Sequence, residues 1–113
     1  MEARATAKFI RVSPQKARLV IDLIRGKNAG QAINILRFTK KRVSGQVEKV
    51  LRSAIANAEQ KSETVDVDRL MVSRAYVDEG PRVKRVRPAP MGRAYRYQRR
   101  MSHITVVVEE PER

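Results

Sequence analysis

The chain has no cysteine, a single histidine, and not one aspartate or glutamate between Glu79 and Glu109. Without cysteine there is no disulfide framework, no thiolate metal site and no cysteine nucleophile, which is compatible with a reducing, cytoplasmic setting. Nowhere do about 18 apolar residues follow one another, and the opening "MEARATAKFI" has no hydrophobic run of signal-peptide length. An unexported protein without membrane contact is expected. Catalysis is not: there is no phosphate-cradling glycine loop and no helical pair of metal-ligand type. The acids Asp66, Asp68, Asp78 and Glu79 also lack a partner base. Neither a cofactor nor a metal is expected.

What the chain does have is positive charge. Its 113 residues carry 25 Lys plus Arg against 12 Asp plus Glu, a net charge of +13, and such a surface calls for a polyanionic partner. A chain of this length folds as a single domain, residues 1–113, removing roughly two-thirds of its unfolded surface from water.

Three helices and a small antiparallel sheet, an α+β architecture, follow from the patterning. Ala3, Ala5, Ala7 and Phe9 alternate with Arg4, Thr6 and Lys8, as on a half-buried strand. In "SPQKARLVIDLIRGK", Ser13 can cap a helix with Pro14 at its first position and Gly26 past its end, placing Ala17, Val20, Ile21 and Ile24 on one face. Asn28 can cap a second helix with Ala32, Ile33 and Leu36 inward, ending near Phe38. Thr39 can cap a third, where Val43, Val47, Val50, Leu51, Ala54 and Ala58 recur at threes and fours. After a polar loop, strand patterns run from Arg69 to Val77 and from His103 to Val108. The economical topology pairs these two strands and makes the segment between them one long protruding hairpin, residues 80–101.

That segment carries Arg82, Lys84, Arg85, Arg87, Arg93, Arg96, Arg99 and Arg100. Pro88, Pro90 and Gly92 mark "RPAPMGRA" as its turn. About ten residues per arm at roughly 3.3 Å each would reach on the order of 30 Å from the body. Strand alternation sets Arg82 and Lys84 against Arg85 and Arg87, and Arg96 and Arg100 against Tyr95, Tyr97 and Arg99. Charge on both faces suits a ribbon threaded through folded RNA better than one lying on a duplex. A free hairpin of this composition is marginal in water, so phosphate should order it. Tyr95 and Tyr97 are placed to stack on bases or to pack across the ladder on Val83 or Val86. A second basic surface gathers Arg4, Lys8, Arg11, Ser13, Lys16 and Arg18 around the first strand and helix, where Ser13 and free amides could also receive a phosphate. His103 reads as a hydrogen-bonding structural residue.

The segments "RVSPQKARLVIDLIRGK", "SAIANAE", "YVDEGPRVKRVRP", "GRA" and "SHITVVV", in that order and spacing, closely resemble the bacterial large-subunit ribosomal protein twenty-two family over almost the whole chain. The resemblance implies a body contacting 23S rRNA among other large-subunit proteins, with a hairpin lining the nascent-polypeptide exit tunnel. The implied rRNA contacts include both basic surfaces and His103. Tunnel-side positions carry over to Val83, Pro88, Met91, Gly92, Arg93 and Ala94, and Val83 to Arg85 match a position tied to macrolide response in that family. Pro90 and Met91 stand where relatives often have a small residue and a lysine, and Tyr95 where they often have an acid.

A rival reading is an architectural DNA-binding protein whose basic ribbon uses Pro88 or Pro90 as a wedge. Such proteins dimerise through a large apolar face. Three amphipathic helices can instead close a core within one chain, so the free protein is expected to be a monomer.

Overall fold

A computed structural model describes residues 1–81, 83–88 and 94–111, the stretches 83–88 and 94–99 by their backbone alone. In chain order the elements are β1 (Glu2–Ile10), α1 (Pro14–Ile21), α2 (Ala29–Phe38), α3 (Ser44–Lys61), β2 (Met71–Glu79), β3 (Val83–Pro88), β4 (Ala94–Arg99) and β5 (Ser102–Glu109), with a 3-10 turn at Val67–Arg69. The described residues form two antiparallel sheets, a three-stranded one ordered β1-β5-β2 and the pair β3-β4. The expected α+β body of three helices on a small antiparallel sheet is present.

One face of the larger sheet carries the core. Ile104, Val106 and Val108 of β5 alternate inward and meet Ile21, Ile24, Leu51, Leu70 and Val72, all of them fully buried. Burying each such side chain stabilises the fold by about 1.5–3 kcal/mol. α3 lies over β1 and β5, α1 lies over β2, and α2 completes the layer against α3. The inner stripe of α3, formed by Val47, Val50, Leu51, Ala54 and Ala58, is the one the periodicity predicts.

Four features differ from expectation. α1 starts as anticipated, with Ser13 Oγ accepting from the Lys16 amide, but ends at Ile21. The chain then tightens into three-residue turns, Leu23 to Val20 and Ile24 to Ile21, before Gly26 adopts φ 74°. Thr39 closes α2 instead of opening α3: its Oγ1 donates to the Ile35 carbonyl at 2.6 Å. α3 begins five residues later behind a Lys41–Ser44 turn, and no side-chain hydrogen bond caps it. β2 starts at Met71, two residues late, because Val67–Arg69 coils into the 3-10 turn with Asp66 accepting from the Asp68 amide.

Phe9 is the fourth departure. Alternation sends it inward, yet it is 59% exposed. The β1–β5 register shifts between Ala7 and Ile10, and Phe9 sits at φ 60°. One extra residue in the strand turns the following side chains over, so Ile10 packs against the core in its place.

The β2–β5 ladder leads toward the second sheet. Glu79 opposes Ser102, and the Gly80 amide donates to the Met101 carbonyl at 2.8 Å. Beyond that rung Val83 opposes Arg99, so four steps along one strand answer three along the other. A one-residue offset therefore separates the body's ladder from the arm's. β3 and β4 pair from Val83–Arg99 through Pro88–Ala94. The Cα radius of gyration is 17.3 Å, against about 13 Å for a compact chain of this size. The molecule measures 67 × 25 × 16 Å.

Candidate nucleic-acid interface

Most cations of the body fall into two groups according to what their side chains touch. In the first group the charge is engaged within the protein. Arg18 donates to the Val77 carbonyl at 3.0 Å and Arg25 to the Ala75 carbonyl at 2.7 Å. Both close the outer edge of β2, where Gly26 and Lys27 also exchange backbone bonds with Val72. Arg37 and Arg52 share Glu48, at 3.3 and 3.1 Å. Arg69 pairs with Glu110 at 3.4 Å, and Arg100 with Glu79 at 3.6 Å.

Arg74 belongs to this group in a particular way. Its guanidinium reaches Glu2 at 2.8 Å, joining β2 to β1 across the central strand. Beneath that bridge Val107, opposite both Arg4 and Arg74 in the two ladders, is only 1% exposed on the face away from the helices. Long side chains lay their aliphatic stems over such a residue while their charged ends stay in water. Thr6 and Thr105 hydroxyls meet at 3.1 Å beside it.

The second group has no ion pair or side-chain hydrogen bond among the described residues: Arg4, Lys8, Arg11 and Lys16, with Lys40, Lys41, Arg42 and Lys49. The first four were legible as a basic surface around β1 and α1. The others come from the α2–α3 turn and the first part of α3. A cleft of about 490 Å³ brings the two sets together, with Arg11 on one wall and Arg42 on the other. The run "KKR" at 40–42 was visible in the sequence as charge; what it lacked was any sign that this turn lies beside the β1–α1 loop.

Ser13 is half-buried and fills the cap role at the start of α1, where no acidic residue lies in the first turn. His103 is placed as read from the sequence. Its Nδ1 accepts from the Phe9 amide at 3.1 Å, and the two rings meet edge-on with centroids 5.0 Å apart.

In the arm the backbone register sets Arg85 opposite Tyr97, Arg87 opposite Tyr95, Lys84 opposite Gln98 and Val86 opposite Arg96. Neither tyrosine has a valine directly across the ladder. The two-faced arrangement of charge and the stacking of Tyr95 and Tyr97 concern side chains outside the described residues, as do Arg82, Met91, Gly92 and Arg93 as a whole. Among the described residues no cluster of histidine, cysteine and acids could hold a metal ion, and no helix is long and apolar enough to cross a membrane.

Residues 5–109 match the family described as "Ribosomal protein L22p/L17e". A relative from Solibacter usitatus, named "Large ribosomal subunit protein uL22", is 66% identical over 112 residues, covering 99% of each chain. Proteins of the same name from Halothermothrix orenii and Thermoanaerobacter sp. are 59% and 57% identical. They cover 97% and 99% of this chain and 96% and 100% of their own.

Proposed function

The chain belongs to the ribosomal protein L22p/L17e family, a structural component of the large ribosomal subunit, and from that membership we propose that it binds and organises 23S rRNA as the subunit assembles. In this reading residues 1–113 act as one domain in the cytoplasm. The body, through Arg4, Lys8, Arg11, Ser13, Lys16, Arg18 and His103, docks on rRNA among other large-subunit proteins. The arm, residues 80–101, runs through the RNA on Arg82, Lys84, Arg85, Arg87, Arg93, Arg96, Arg99 and Arg100. Its tunnel-side positions, Val83, Pro88, Met91, Gly92, Arg93 and Ala94, line the exit tunnel beside the nascent polypeptide.

The observation that carries this reading is the arm itself. Among the described residues its strands pair only with each other, as a sheet apart from the three-stranded one, in a segment with no acidic residue. A two-stranded ribbon of that composition gains little from its own packing. Phosphates supply what the body does not: they neutralise the arginines, and the counterions released on binding provide much of the affinity.

Salt-dependent binding of the purified protein to a 23S rRNA fragment and to a DNA duplex of equal length, with the mass in solution measured alongside, tests the proposal. Tight, RNA-selective binding by a monomer is expected. Equal or stronger binding to duplex by a dimer would replace it with the DNA-bending ribbon.

A further inference from the structure

The edges of the larger sheet are treated differently. On β2 the outer edge is closed by Arg18, Arg25 and the Gly26–Lys27 backbone. On β1, among the described residues, only the beginning is closed: Lys61 donates to the Glu2 carbonyl at 2.6 Å and Asn57 to the Arg4 carbonyl at 2.8 Å. Both donors lie on one stripe of α3, which continues toward the helix start through Ser53, Lys49 and Gln46 at intervals of three and four residues. Those three side chains have no hydrogen-bond partner among the described residues.

Where the stripe parts from the strand, a groove opens. Its inner part, about 300 Å³, lies between Thr6 on β1 and Lys49 and Ser53 on α3. It continues past Gln46 and Ile10, which border both parts, into the cleft of about 490 Å³ between Arg11 and Arg42. Among the described residues no acidic side chain lines either part. By alternation from Glu2 and Arg4, whose carbonyls accept from α3, the backbone amide and carbonyl of Thr6, ahead of the bulge, face this groove. An edge strand left open in this way invites a partner that can bond to it.

We propose that this groove seats one stretch of RNA backbone, with a phosphate held between Arg11 and Arg42 and ribose hydroxyls against the free edge of β1. The inference rests on the rRNA-binding reading and adds to it a site, with Arg42, Gln46, Lys49 and Ser53 as residues that reading does not contain. The chemistry favours RNA over a docked polypeptide strand. Phosphate suits paired arginines that lack an internal acid, and the ribose 2′-hydroxyl both donates and accepts, as a strand edge requires. It also explains why, among the described residues, Arg11 and Arg42 have none of the carboxylate or carbonyl partners that occupy Arg18, Arg25, Arg37 and Arg52.

The test uses the full-length protein and a 23S rRNA transcript. In Arg42→Ala/Lys49→Ala the dependence of log K on log salt should become shallower by about 0.7–0.9 for each phosphate that is no longer neutralised. The charge-matched Arg37→Ala/Arg52→Ala, which removes cations already paired to Glu48, should keep the wild-type slope. Because the chain has no cysteine, Gln46→Cys carrying a photoactivatable group reports what lies in the groove of assembled large subunits, and cross-links to rRNA are expected. An unchanged slope in Arg42→Ala/Lys49→Ala, or cross-links to protein in place of RNA, overturns the groove site while leaving an arm-based rRNA attachment standing. Wild-type protein that binds duplex DNA as well as the transcript overturns the ribosomal reading and the groove with it.

Discussion

His103 Nδ1 accepts the Phe9 backbone N–H at 3.1 Å from 94 positions along the chain, and this bond holds the one non-glycine residue of positive φ among those described. A left-handed conformation costs a residue such as phenylalanine about 1–2 kcal/mol. The hydrogen bond and the edge-on ring contact offset that cost, fixing the bulge at which β1 ends and the basic β1–α1 loop begins. His103→Ala should lower stability by about 1 kcal/mol, a fall of roughly 4–8 °C in Tm. His103→Asn, whose side-chain oxygen sits near the position of Nδ1, should recover part of the loss. A Tm unchanged in the alanine variant would mean that the bulge is held by other interactions.

Gly80 and Gly45 should respond to alanine in opposite directions. A Cβ on Gly80 would lie 3.2 Å from both the Met101 carbonyl oxygen and His103 Cε1. The carbonyl belongs to the last rung before the arm and cannot move away without loosening it. Around Gly45, in the first turn of α3, nothing lies within 4 Å of such an atom. Gly80→Ala is expected to destabilise by about 1 kcal/mol, and Gly45→Ala to stabilise by about 0.5–1 kcal/mol through the reduced freedom of the unfolded chain. Denaturant midpoints at constant m measure both.

Much of the body could be read from local chemistry. Ser13 and Pro14 start α1 because the cap and the missing proline amide act within one turn, and the apolar stripe of α3 is periodic over its whole length. What could not be read depends on distant partners or on a choice between two local bonds. Thr39 can open the helix that follows or close the one before it, and the Ile35 carbonyl takes it. The inward position expected of Phe9 is undone by a bulge whose anchoring acceptor, His103, lies on the last strand.

The same distinction runs through the candidate interface. The basic arm is a composition signal, and its pairing follows from the strands on either side. The offset between Glu79–Ser102 and Val83–Arg99 has no such signature, although a one-residue slip decides which face each arm residue takes. By charge alone Arg18 and Arg42 are alike. Only the fold distinguishes Arg18, bonded to the Val77 carbonyl, from Arg42, which lines an open cleft.

Arg85 and Arg87 stand at register positions opposite Tyr97 and Tyr95, in the middle and outer parts of the arm. Changing both to alanine should weaken binding to a 23S rRNA fragment. It should also reduce the salt slope by about 0.7 for each single-strand phosphate involved, on the order of 1.4 for the two. Thermal stability of the body should hardly change, since β3 and β4 pair in a sheet apart from the three-stranded one on which the helices pack. An unchanged salt slope would remove Arg85 and Arg87 from the residues that neutralise phosphate.

The separation of the two sheets predicts a division of labour within the chain. Residues 89–93 join Pro88 to Ala94, the last register pair of the arm. Replacing them by Asn-Gly supplies a two-residue turn suited to closing a hairpin and shortens the tip without touching the Gly80–Met101 rung. The core built on Ile104, Val106 and Val108 lies in the other sheet, so stability should stay within about 0.5 kcal/mol of wild type, as Tm would show. Binding to 23S rRNA through the body should persist with a modestly weaker salt dependence. In reconstituted large subunits the change should appear as altered chemical reactivity of rRNA bases confined to the tunnel wall. Loss of all rRNA binding would instead mean that the tip, and not the body and the arm's stem, carries the attachment.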